Sequence, residues 1–179
     1  MERLASARET ARRVRIAVVD SGVDLGHPGV RGRIAAIHAV AVDARGAVTA
    51  EAAPRDGLGH GTAVTATMLS HVEAAELWVV RLFDAAAQCS AEQLAAAFDY
   101  LAEQPVDLVN ASLGITDPAA RACLAGAIER LRANGCRVLA PATAQGMPCL
   151  PGLLPGVDRV VADPRLRRGD LYSRRHEGL

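Results

Sequence analysis

The chain has 179 residues and a mass of 18.7 kDa, with 50% hydrophobic and 22% charged residues, which describes one globular domain and excludes a disordered tail. Twenty basic residues, all arginine, balance twenty acidic ones, so no basic field is available for nucleic acid. Aromatic residues make up only 3%, too few for exposed platforms on which bases or sugars stack.

No segment approaches the roughly 18 apolar residues of a membrane span. Residues 1–15 are polar and Arg-rich without an apolar run, unlike a secretory leader. Cys89, Cys123, Cys136 and Cys149 are widely spaced and form neither a CxxC pair nor a Cys/His ligand pattern. They read as free thiols in a reducing compartment. A cytoplasmic protein is expected, with no metal, no other cofactor, no nucleic acid and no membrane among its partners.

The elements follow in chain order. Val14–Val19 is a β-branched run ended by Asp20-Ser21-Gly22, as suits a strand buried on both faces of a parallel sheet. Ile34–Val42 is a second strand candidate, and residues 43–59 read as a long loop rich in Gly, Pro and charge. Gly61–Val72 is predicted as a helix of small residues, and Leu77–Phe83 as a strand. Ser90 is the N-cap of a helix over Ala91–Glu103, with Gln93 at the capping-box position. Val106–Leu113 is a strand, Pro118–Ala133 a helix stopped at Asn134-Gly135, and Cys136–Ala142 and Val157–Ala162 the last two strands. This alternation predicts a doubly wound, mostly parallel α/β sheet with flanking helices. Residues 1–13 form an N-terminal arm, 14–164 the domain, and 165–179 a tail with five Arg.

Ligands of such sheets sit at the carboxyl ends of the strands. That directs attention to Asp20, to the Asn110–Gly114 turn and to Pro141–Gly146. A carboxylate ending a buried strand requires partners; alone, Asp20 also reads as the polar cap of a turn. In Asp56-Gly57-Leu58-Gly59-His60-Gly61, alternating glycines surround one histidine at the start of a helix. The helix dipole disfavours imidazolium there and a nearby carboxylate favours it, which suits proton transfer near neutral pH. A structural hydrogen bond is the plainer reading of His60.

Taken together, Val18-Val19-Asp20-Ser21-Gly22-Val23-Asp24 with His27-Pro28, then Gly59-His60-Gly61-Thr62-Ala63-Val64, resemble the Asp and His blocks of the subtilisin-like serine proteases. Leu77–Asp84 is similar to the strand after the His helix in that family, and Val109–Gly114 to its V-I-N-x-S-L-G segment. The Asp-before-His order also matches. The resemblance implies that Asp20 orients His60, that His60 moves a proton for a serine nucleophile, and that Ser112, Leu113 and Gly114 pair with an extended peptide.

The pattern breaks in two places. The family's G-T-S-M-A nucleophile block does not occur in these residues; the resemblance runs instead through Leu150–Ala162 to Asp170–Ser173. Where the family carries A-A-G-N-x-G, this sequence has Pro141-Ala142-Thr143-Ala144-Gln145-Gly146, which puts Ala144 at the oxyanion Asn position. Losing such a donor costs about 10²–10³ in rate, and losing the serine about a millionfold. Ser173 lacks the nucleophile context, Cys149 is the only thiol in a loop near the expected cleft, and Gln145 could reach toward the oxyanion position. His27, His38, His71 and His176 have no ligand partners at metal spacing, and Asn110-Ala111-Ser112 is a glycosylation pattern on an internal strand.

The expectation is a truncated subtilisin-like domain that is inactive alone. It is either a non-proteolytic peptide-binding or partner subunit, in a setting such as bacterial peptide maturation, or the Asp/His half of a split protease. Apolar surface left open by the missing third of the fold predicts a homodimer or an obligate protein partner.

Overall fold

The computed structural model describes residues 13–72, 75–84 and 86–167, so most of the proposed arm and tail, Ser173 included, lies outside the described residues. Nine strands and three α-helices follow one another: β1 (Val14–Asp20), β2 (Ile34–Val42), β3 (Val48–Ala50), α1 (His60–Leu69), β4 (Ala75–Arg81), α2 (Ala91–Ala102), β5 (Leu108–Ala111), α3 (Arg121–Ala133), β6 (Arg137–Pro141), β7 (Thr143–Ala144), β8 (Met147–Pro148) and β9 (Val157–Val160). Seven of them form one sheet in the order β3-β2-β4-β1-β5-β6-β9. Every pairing is parallel except β2–β3, so the sheet is the mostly parallel α/β architecture read from the alternation.

The two faces are covered unequally. On one, α2 and α3 pack Leu94, Phe98, Leu101, Leu124, Ile128 and Leu131 against Ala17, Val19, Val80, Val109 and Val138. Each of those large side chains is fully buried, worth about 1.5–3 kcal/mol apiece. On the other face α1, with Leu69 and Val64, and the β1–β2 connection, with Val23 and Val30, cover Ile16, Val18, Leu77 and Val79. β1 is central and buried to its end, which is why its sequence is a continuous apolar run and not an alternating one.

Helix ends follow local chemistry. The Ser90 side chain accepts from the Gln93 amide N–H at 3.1 Å, a normal N-cap. Gln93 does not close the expected capping box: its side-chain amide donates to Val42 O at 2.7 Å and Leu82 O at 2.6 Å, satisfying carbonyls at two strand ends. α3 stops as Asn134-Gly135 predicts. Gly135 takes φ 78°, its N–H bonds Arg132 O, and the N–H of Cys136 reaches back to Leu131 O. That is a Schellman ending.

Several ends shift by one to three residues, with α1 ending at Leu69, β4 running Ala75–Arg81 and β9 ending at Val160, and three differences go further. The loop 43–59 contains β3, an antiparallel edge strand held by Val40–Ala50 and Val42–Val48 pairing. The strand predicted over Val106–Leu113 is confined to Leu108–Ala111. Before it, Asp107 turns its carboxylate to the backbone and guanidinium of Arg15; after it, the chain leaves the sheet. The Pro141–Gly146 turn is a small hairpin, β7–β8, with Gln145 at φ 51° and Gly146 at φ 79°. No helix among the described residues is long and apolar enough to cross a membrane.

Candidate active site

From β1 the chain passes to β2, β3 and β4 on one side, then crosses to β5, β6 and β9 on the other. The winding therefore reverses between β1 and β5, and such a switch point opens a crevice at the carboxyl ends of the strands. Asp20 is the last residue of β1, and Ser112 follows β5, whose Ala111 is in register with Val19. The Pro141–Gly146 stretch ends β6 on the far side of β5. Topology thus brings the three sequence-predicted stretches to one edge.

Asp20 is 1% exposed. Its Oδ1 accepts the Ser21 N–H at 2.7 Å, and both oxygens face Nδ1 of His60, at 2.8 and 2.9 Å. With Nδ1 donating to the carboxylate, the remaining nitrogen, Nε2, is left as the acceptor. The imidazole is 53% exposed, so that nitrogen is open to a substrate or a nucleophile. His60 is the first residue of α1, preceded by Gly59 at φ 78°. Gly61 lets this turn press onto the end of β1: a Cβ there would overlap the carbonyl oxygen of Gly22 and lie 3.1 Å from the Asp20 Cβ.

Two residues that lie in the motifs but were given no role there, Ser21 and Asp56, hold this corner. The Ser21 hydroxyl donates to Asp56 Oδ1 at 2.8 Å and accepts the Gly61 N–H at 3.0 Å. Asp56 also accepts from the Gly59 N–H, the Thr62 N–H and the Thr62 hydroxyl, the last at 2.6 Å. Thr62 Oγ1 in turn accepts the Asp24 N–H at 2.9 Å. Two first-turn N–H groups of α1, those of Gly61 and Thr62, which have no partner inside the helix, are thereby satisfied by side chains from the β1 turn and the preceding loop. Burial alone would raise the Asp56 carboxyl, but the hydrogen bonds from Thr62, Ser21 and Gly59 outweigh it and hold it below the ordinary value. The sequence signal was present: a carboxylate six residues before a threonine in the first turn of a helix.

On the β5 side, Ser112, Leu113 and Gly114 run on half-buried. Their backbone N–H and C=O groups make no hydrogen bond among the described residues, and pairing resumes only where Ile115 and Leu150 exchange bonds at 2.8 and 2.9 Å. The Asn110 side chain donates to Ser112 Oγ at 2.8 Å. A Cβ on Gly114 would lie 3.3 Å from that of Ala144, so the structure brings Ala144 beside this segment. Ala144 offers no side-chain donor. Gln145 is exposed at the hairpin tip and makes no hydrogen bond among the described residues. Cys149 is 1% exposed, donates to Pro141 O at 3.2 Å, and has its thiol pushed up by burial, all unlike a reactive nucleophile. His27 accepts the Gly29 N–H, and His38, within β2, stacks on Trp78 at 4.3 Å.

The carboxyl edge thus holds a buried carboxylate bonded to an exposed imidazole at the end of β1, and after the neighbouring β5 a segment whose backbone has no partner among the described residues. The subtilase family model matches residues 11–146, and the chain belongs to that family. No curated protein matches it. Among solved structures it is similar to the S41 psychrophilic protease, at 22% identity and TM-score 0.65 over 83% of this chain and 53% of that one. It is also similar to sphericase, at 21% identity and TM-score 0.65 over 90% and 59%. The prenylagaramide maturation protease PagA is 21% identical, with TM-score 0.60 over 82% and 52%. The chain spans about half the length of the structures it matches.

Proposed function

We propose that this chain binds an extended peptide along Ser112–Gly114, beside the Asp20–His60 pair, and does not cleave it with its own residues. The observation that carries this reading is the run of backbone groups at Ser112–Gly114 that have no partner among the described residues. An extended peptide would complete them as an added strand. Against hydrolysis stand the methyl group of Ala144 where an oxyanion donor belongs, and the absence of a G-T-S-M-A block from these residues. Peptide maturation is a fitting setting, since one structural neighbour is a maturation protease and another a lanthipeptide protease by name. Exposed Met147, Val160 and Val161, at 60%, 50% and 64%, favour a protein partner at the β6–β9 side.

Titration of the chain with a labelled, alanine-rich hexapeptide tests the reading. Binding without cleavage is expected. Ser112→Pro, which removes one edge donor, weakens it at least tenfold, whereas His60→Ala changes it less than twofold. Retained affinity in Ser112→Pro would sink the proposal.

A second reading is favoured by the intact Asp20–His60 geometry, which a pure binding module does not need. Here a serine from outside these residues completes the site. A fluorophosphonate probe, which modifies activated serines, then labels a polypeptide in the native complex but not this chain alone. Asp20→Asn would lower that activity by about 10⁴.

A further inference from the structure

The peptide edge has a wall behind it, and its composition sets which side chains fit. Gly114 leaves room on one face of the Ser112–Gly114 segment, and that room is already occupied. A Cβ on Gly114 would overlap the Cys149 sulfur and lie 2.9 Å from the Cys149 Cβ and 3.3 Å from the Ala144 Cβ. Cys149 cannot readily withdraw. It is 1% exposed, its N–H bonds Ala142 O at 3.0 Å, and its thiol donates to Pro141 O at 3.2 Å. The next residue, Leu150, is paired to Ile115, which clamps the Cys149 loop against the same segment.

In an antiparallel pair, residues directly opposite each other project their side chains to the same face, with Cβ atoms about 4.5–5.5 Å apart. The peptide residue opposite Gly114 therefore points toward Cys149 and Ala144. Two shallow cavities, of about 400 and 340 Å³, lie elsewhere, between the ends of α2 and α3 and at the end of α1. From this packing we infer that Cys149 is a specificity-determining residue: its thiol closes the subsite behind Gly114, so that the peptide residue facing Gly114 is glycine or alanine. This rests on the peptide-binding reading above. The role is steric and asks no reactivity of the sulfur, in keeping with a thiol whose ionisation burial disfavours.

The test uses fluorescein-labelled hexapeptides of alternating Leu and Arg, which present a large side chain to Gly114 in any register. Alanine is then substituted at each position in turn. With the native chain, anisotropy titrations show at least one alanine-bearing peptide binding ten times or more tighter than the parent. Cys149→Gly narrows that difference to threefold or less by admitting the large side chain. Cys149→Ser, of similar volume and still able to donate to Pro141 O, keeps the native pattern. Cys149→Ala gives an intermediate pattern and replaces the glycine variant should circular dichroism show that variant unfolded. Equal affinity of the native chain for all the peptides overturns the closed subsite while leaving peptide binding in place. No binding of any peptide, to native or variant chains, overturns both.

Discussion

The carboxyl edge of the sheet holds two corners built to different standards. At the β1 corner Asp20, Ser21, Asp56, His60 and Thr62 form one hydrogen-bonded cluster, and Gly22 and Gly61 let the backbones touch. At the β6 corner the backbone path is kept by the β7–β8 hairpin and by pairing of Ile115 with Leu150, but the side chains packed beside Gly114 are the methyl of Ala144 and a buried thiol. The first corner specifies one atom, Nε2 of His60, in one place. The second specifies a shape. Under the function proposed above, that difference is what separates peptide binding from peptide cleavage.

The largest effect is expected where the β1 corner tolerates least. Gly22 has φ 108°, and a Cβ there would overlap the carbonyl oxygen of Arg55. Gly22→Ala combines a disfavoured backbone region with a clash against main chain, which cannot rotate away. A loss of about 3 kcal/mol or more is expected in urea unfolding. The His60 Nδ1 proton resonance, held by Asp20 in the native chain, disappears from its position or broadens. A variant of unchanged stability would show that the corner is looser than its contacts indicate.

Asp56→Asn comes next. The amide keeps one acceptor but turns a donor toward the N–H and hydroxyl donors of Thr62 and Gly59, and about 1–2 kcal/mol is lost at neutral pH. The sign of the pH dependence follows from the lowered carboxyl. Its ionised form is favoured in the fold, so the contribution is fully present above the ordinary carboxylate range and lost as pH falls through the lowered folded value. Stabilities of native and variant chains, measured by denaturant unfolding at neutral pH and near pH ~3, therefore converge on acidification. A gap that persists in acid would assign the loss to packing and not to charge.

How much of this was visible beforehand differs between the same two corners. Asp20 and His60 were legible because each lies in a dense local pattern, a β-branched run ending in an acid and a histidine framed by glycines. The parallel sheet and all three α-helices were legible from alternation and from caps such as Ser90 and Asn134-Gly135. The holding role of Ser21 was not, because its contacts with Asp56 and Gly61 lie 35 to 40 residues apart in sequence, whereas the link from Asp56 to Thr62 spans only six. β3 was hidden for a related reason: an exposed three-residue edge strand carries no periodicity, and only its pairing with β2 defines it. The contact of Cys149 with Gly114 was equally invisible, since a glycine does not announce what fills the space it leaves.

The smallest effect is expected at the β6 corner, and it has the opposite sign. Gln145 adopts φ 51° and Gly146 φ 79°, the two positive values that a two-residue type I′ hairpin demands. Glycine meets that demand without cost; a residue with a Cβ gives up about 1 kcal/mol in the left-handed region. Gln145 is exposed and makes no hydrogen bond among the described residues, so nothing in the folded hairpin offsets the strain. Gln145→Gly is therefore expected to stabilise the chain by about 0.5–1 kcal/mol, the relief being partly cancelled by the added freedom of the unfolded chain. Urea unfolding resolves a change of that size. A destabilised variant would mean that the glutamine side chain holds the hairpin through a contact, and the β6 corner would then be specified by side chains, as the β1 corner is, and not by backbone path alone.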